Sequence, residues 1–391
     1  MLIIHANIKT MESQDYPNGY LKIQDGKITE LGDMKDLDVQ ETDSLDVKGA
    51  LVLPGLIDAH SHIGMWENGL GFEGDDGNEE TDPLTPQLRA IDAVNPMDYC
   101  FEEARQAGIT TVLTGPGSAN PISGSWCAMK TYGRRIDDML LSEQVGMKFA
   151  LGENPKGVYH GKGETPMTRM GTAALIREEL HKAKRYLDDQ KRAKKDPDID
   201  PPDYDAKSEA LIPVLKRKMK AFFHAHRADD IFTALRIAKE FKLDCVIVHA
   251  TEGYKIADIL AGEKVPVIAG PVLCDRSKPE LRDMSIENTA ILRKHHVETA
   301  ICTDHPVIPI QYLGLSAGIC VKAGLPYEEA LRMLTIVPAK ICGIDRRVGS
   351  IKKGKDADLL IISDDPLNVY SKPDYVILNG NIVVNNIEKG N

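Results

Sequence analysis

Short apolar segments broken by turns mark both ends of this chain, and between them apolar runs alternate with stretches of helical periodicity. At the start, Leu2 to Ile4, Leu21 to Ile23 and Lys27 to Leu31 read as strands, with a hairpin turn over Gln24, Asp25 and Gly26. At the end, Ala357 to Ile362 reads as a strand and Asp364 to Leu367 as a turn. Tyr375 to Leu378 and Ile382 to Val384 then form a hairpin closed by Asn379, Gly380 and Asn381. Neither end carries enough apolar surface for its own core. The two are therefore expected to pack together as one small β domain, residues 1–53 plus 347–391.

Residues 54–346 read differently. Strand candidates are Leu51 to Ile57, Ile109 to Leu113, Met147 to Leu151, Ala221 to His224, Cys245 to His249, Val265 to Ala269 and Glu298 to Thr303, with Trp126 to Thr131 as an eighth. Helical segments such as Asp229 to Phe241 and Pro326 to Leu334 lie between or after them. The βαβα order predicts a parallel sheet, open or closed. The expected fold class is α/β: a TIM-like (β/α)8 barrel with a small β-sandwich domain formed by both termini. Gly69 to Pro96, rich in Gly, Asp, Glu and Pro, is too long for a plain connector and reads as a lid or substrate loop. Met167 to Arg192 reads as a heavily charged helical stretch and Lys194 to Asp205 as a Pro/Asp loop, together an elaborate crossover or a surface helical pair.

Composition narrows the class of partner. The chain has 391 residues, 42% hydrophobic and 27% charged, which suits a sizeable packed core. Its net charge of -11 argues against nucleic acid or an anionic membrane as partner. Seven scattered cysteines, with no C-x-x-C pair, fit reduced thiols and a cytoplasmic setting. No basic n-region opens the chain and no window approaches a membrane span. A small-molecule substrate is the expected partner, and a homo-oligomer is left open.

The candidate chemistry sits where the apolar runs stop. His60 and His62 close the first run; on a strand, a spacing of two turns both imidazoles to one side. Glu153 follows the run ending at Leu151, His224 and His226 close another, His249 ends the next, and Asp304 follows Thr303. In a parallel barrel all these ends share one face. Clustered neutral imidazoles and carboxylates there are ligands for a divalent metal. The alternative, unrelated loop histidines, does not explain the repetition. The glycines between Gly115 and Gly124 lack a following Gly-Lys-Ser/Thr, so they read as a substrate-lining loop rather than a phosphate loop.

The stretch from Pro54 to His62 (Pro-Gly-Leu-Ile-Asp-Ala-His-Ser-His), His224, His249, the Thr303–Asp304 pair and Gly349 to Leu359 together resemble the amidohydrolase superfamily, most of all its imidazolonepropionase-like members. The resemblance covers essentially the whole chain. It implies a metal-dependent hydrolase that cleaves a C–N bond, in an amide or cyclic amide, with one or two divalent ions, zinc being expected. His60 and His62 would hold the first ion, and Asp304 would contact metal and serve as general base. His224 and His249 take the next two ligand positions, His249 also lying where it can stabilise an oxyanion. The bridging position belongs to Glu153 or to a carboxylated lysine, Lys148 or Lys156, with Glu153 preferred. His226, His160 and Lys156 are candidates for substrate contact, His226 alternatively for ligation or support. Heterocycle deamination and cleavage of a small Xaa-Pro dipeptide are rival reactions for the same site, and a non-catalytic scaffold is the rival from another class.

Overall fold

The computed structural model describes residues 1–38, 44–67 and 69–387. The last four residues of the expected terminal domain, 388–391, lie outside them. The chain opens with β1 (Leu2–Ile8), β2 (Tyr16–Gln24), β3 (Lys27–Asp33), β4 (Ser44–Asp46) and β5 (Leu51–Pro54). Then come β6 (Leu56–Ser61), β7 (Ile109–Thr114), β8 (Ile122–Lys130), β9 (Leu140–Ala150), β10 (Lys220–Ala225), β11 (Cys245–His249), β12 (Val267–Ala269) and β13 (Thr299–Ile301). The chain closes with β14 (Leu359–Ile362), β15 (Tyr375–Leu378) and β16 (Asn381–Asn385).

These strands make two sheets of eight. One runs β16-β15-β14-β5-β1-β2-β3, with β4 beside β1, so strands from both ends of the chain share it. Their joint is the antiparallel pair of β5 with β14, Val52 opposite Ile361. Its core is aliphatic, including Ile3, Ile8, Leu21, Val52, Leu359 and Ile377. The other sheet runs in sequence order from β6 to β13 and nearly closes. The chain meets itself there through Asp304 N–H to His60 O at 3.0 Å and His62 N–H to His305 O at 2.8 Å. Buried Asp58 spans the same seam, accepting the Thr303 hydroxyl and the His60 N–H.

Two expectations change. The apolar run from Leu51 to Ile57 is not one strand: it divides at Gly55, β5 belonging to the terminal sheet and β6 to the barrel. The chain squeezes through there, since a Cβ on Gly55 would lie 2.1 Å from Thr110 Oγ1. The eighth strand exists as β8 but runs antiparallel to both β7 and β9. The long helix Arg169–Lys195 occupies the charged segment. Among the described residues none of the seven cysteines is joined in a disulfide, and no helix of the described residues is long and apolar enough to cross a membrane.

Candidate active site

The strand registers bring the polar residues together. Ala150 pairs with His224, and Ala225 with His249, which sits level with Ala269 of β12. Along β9, Met147 and Phe149 pack outward among the apolar residues beneath the helices. The period of two therefore turns Lys148 inward, where it meets Trp126, with Nζ 4.8 Å from the ring centre.

Two groups of ligand atoms converge: His60, His62 and Asp304, and His224, His226 and His249. Asp304 Oδ1 lies 3.3 Å from His60 Nε2 and 3.4 Å from His62 Nε2. Backbone carbonyls fix two tautomers. His62 Nδ1 lies 2.6 Å from Gly115 O and His249 Nδ1 2.7 Å from Gly270 O. A carbonyl only accepts, so Nδ1 carries the proton and, in the neutral ring, each Nε2 keeps its lone pair. Burial, and then neighbouring positive groups, hold His60, His224 and His249 well below the ordinary imidazole range. They are neutral at pH 7. Buried His224 Nδ1 and Nε2 and His60 Nδ1 have no hydrogen-bond partner. Clustered neutral imidazoles, two of them beside a carboxylate, fit a borderline divalent cation such as zinc.

Lys148 Nζ is 3.2 Å from His60 Nε2. Burial brings its pKa down to about 7, against the opposing pull of Asp304. Much of it is therefore a free amine at neutral pH, which is unusual for lysine and typical of lysines that do chemistry.

Glu153 stands apart from both ligand groups. It is the first residue of the helix Glu153–Lys162, and its Oε2 accepts the backbone N–H of Glu280 at 3.2 Å. It does line the cavity, whereas Lys156 and His160, farther along that helix, do not. His226 lines it, with Nδ1 2.6 Å from Thr251 Oγ1 and its ring stacked 4.5 Å from that of His249. Two carboxylates went unnoticed in the sequence. Asp58 is two residues ahead of His60, a position its strand parity pairs with the histidines. Glu280 lies in a short turn after β12, where no periodic pattern marks it.

The cavity above these groups measures about 930 Å³. The loop expected to act as a lid supplies part of its wall through Asp75, Asn78 and Glu80, with Trp66 just ahead of it. Trp66 stands edge-on to His62, ring centres 4.6 Å apart.

A histidine–aspartate cluster that could hold a metal ion thus sits at the strand ends of a nearly closed barrel, joined to a sheet made by both termini. Residues 51–384 match the amidohydrolase family, and the chain belongs to it. That family consists of hydrolytic enzymes acting on C–N bonds. The chain is similar to the solved structure of an amidohydrolase from Thermotoga maritima MSB8, 40% identical with a TM-score of 0.94, covering 98% of this chain and 99% of that one. It is 28% identical to the amidohydrolase tasK of Hapsidospora irregularis over 93% of its own length, but spans only 39% of that protein. An imidazolonepropionase of Shewanella frigidimarina (strain NCIMB 400) is 25% identical, over 92% of this chain and 90% of the relative.

Proposed function

We propose that this chain is a metal-dependent hydrolase that opens a C–N bond of a small amide or cyclic amide. The observation that carries the reading is the convergence of the His62 and His249 Nε2 lone pairs on the cavity that Asp304 and Lys148 also face. When bound, a divalent cation there lowers the pKa of water and polarises the scissile carbonyl. His60, His62, His224 and His249 would hold it. Lys148, rather than Glu153, would be the further ligand: its buried amine, beside His60, can add CO2 with loss of a proton to give a carbamate that would carry the negative charge there. Asp304 accepts a proton from the attacking water at Oδ1 and returns it to the leaving nitrogen. Trp66 and the loop beyond it restrict bulk water.

Zinc-loaded and chelator-stripped protein should be assayed against cyclic amides, N-acyl amino acids, dipeptides and nucleobases. Hydrolysis of an amide by the loaded form only is the expected result. Release of ammonia from a heterocycle would assign deamination instead, and turnover undiminished by stripping would sink the metal reading.

A further inference from the structure

The connection between β7 and β8, residues 115–121, touches the site along its whole length. Gly115 O accepts the His62 Nδ1 proton at 2.6 Å, and Pro116 O accepts that of Trp126 Nε1 at 3.0 Å. The following residues turn to the loop that walls the cavity. Gly117 N–H donates to Gly77 O at 2.8 Å, and Ala119 N–H to Asn78 Oδ1 at 3.1 Å. Trp66 lies directly on Gly77, where a Cβ would stand 2.0 Å from its ring. Whatever seats Gly77 therefore also seats Trp66, which is edge-on to His62.

Asn120 closes the same connection. It is 1% exposed and, unlike Gly117, Ser118 and Ala119, does not line the cavity. Its Nδ2 donates to Glu79 O at 2.7 Å and to Thr85 Oγ1 at 2.9 Å, while its Oδ1 accepts the hydroxyl of buried Tyr159 at 2.5 Å. A carbonyl only accepts, so Glu79 O fixes which end of the amide faces the loop. Thr85 in turn donates to Ser123 O at 3.1 Å. Both amide hydrogens and the oxygen are thus used away from water, where an unmade bond is costly. The other side-chain holds on this segment, Lys162 to Glu80 and Lys207 to Asp82, lie at the surface, where ion pairs contribute little.

We propose that Asn120 is a positioning residue. It pins residues 77–85 as a standing wall of the cavity and so keeps Trp66 against His62 before any substrate arrives. The consequence for turnover rests on the hydrolase reading above; the pinning itself does not. On that reading, the loop meets the substrate already in place, and loss of Asn120 weakens substrate binding more than it slows the chemical step.

The test is acrylamide quenching of tryptophan fluorescence in the native chain, Asn120→Leu and Tyr159→Phe. The chain holds two tryptophans and Trp126 is 1% exposed, so the quencher reports on half-buried Trp66. Tyr159→Phe removes one buried hydrogen bond from Asn120 but leaves both Nδ2 bonds, and so measures the cost of a lost bond alone. Asn120→Leu should be quenched about twofold more readily than native, with an unchanged circular dichroism spectrum, while Tyr159→Phe stays near native. On the amide that the hydrolysis screen returns, Asn120→Leu should raise KM by about threefold or more with a smaller change in kcat, whereas a partly unfolded variant loses kcat at constant KM. Native-like quenching in Asn120→Leu, or an equal rise in both variants, would overturn the proposal. Quenching needs no substrate, so an empty screen would count against the hydrolase reading and leave this test standing. If Asn120→Leu does not fold, hydrogen exchange of the native chain decides. The Gly117 and Ala119 amides, which donate to the loop, should be protected by about 10²-fold or more, and free exchange there would overturn the pinning.

Discussion

At Asp304 the backbone takes a left-handed turn, φ +57°, and His249 does the same at φ +75°. Neither is a glycine, so each holds its side chain in place at some conformational cost. Asp304→Asn preserves shape and can still offer an oxygen to a cation, but cannot take a proton. Metal content close to native with a rate reduced by about 10²–10⁴ is expected, measured by metal analysis and kcat; near-native turnover would move the base elsewhere. Lys148→Met should fold, since Trp126 and the strand face accept an apolar chain, yet bind fewer zinc equivalents than native protein; unchanged stoichiometry would remove Lys148 from the site. The histidines were legible because a strand's period of two puts His60 with His62 and His224 with His226. The same parity turns Lys148 inward along its strand, while Glu153, preferred for its nearness to the strand end, opens a helix in the structure. Glu280 was not legible at all. Its position depends on backbone bonds to Glu153, 127 residues away in sequence.

Between residues and molecule, the instructive elements are β5–β6 and β8. One apolar run serves two sheets because Gly55 lets the backbone pass against Thr110. Gly55→Val should lower stability by about 1–3 kcal/mol through overpacking, seen as a reduced Tm. Gly262→Ala, in a helix with open space around it, should be neutral or slightly stabilising; an equal loss in both would mean that crowding is not the cause. The orientation of β8 was implicit in its spacing. Only residues 115–121 separate it from β7, and a parallel return needs a dozen or more. The alternation elsewhere set the expectation of a uniformly parallel barrel, and the short link overrides it. Most other elements fell where their apolar periods put them, with ends shifted by a few residues, as frayed boundaries do.

For the molecule as a whole, the two sheets are tied by one buried cation. Lys130 of β8 reaches Asp356 Oδ2 at 2.7 Å, Asp358 Oδ2 at 2.8 Å and the Asn379 side chain. Asp356 also takes Lys27 and Arg347. Lys130→Met leaves these carboxylates buried without their central partner and should cost about 3–5 kcal/mol in chemical denaturation; a loss under ~1 kcal/mol would show that the cluster is replaceable. Burial pushes Asp356 up, but the three cations outweigh it and hold it at about 2. Its folded pKa is thus below its unfolded one. The stability it confers is full above about pH 4 and disappears as pH falls through about 2. Asp356→Asn should be less stable than native at neutral pH and lose less on acidification across that window, which melting curves between pH 5 and 2 would register. That both ends of the chain meet was readable from their matching hairpins; the buried lysine joining them to the barrel was not, because it lies inside a strand with nothing local to mark it.

The pairing of β5 with β14 has a consequence for the newborn chain. On the ribosome, β5 emerges roughly 300 residues before the strand that covers its edge, and at typical elongation rates of about 5–20 residues per second that is a wait of tens of seconds. The terminal sheet is finished only once β14 to β16 have been made, and until then an apolar strand edge and the Lys130 ammonium are both without partners. A chain stopped before residue 358 should remain in that unfinished condition and aggregate in a spin-down assay; a soluble, metal-loaded product would mean that the barrel matures without its last three strands.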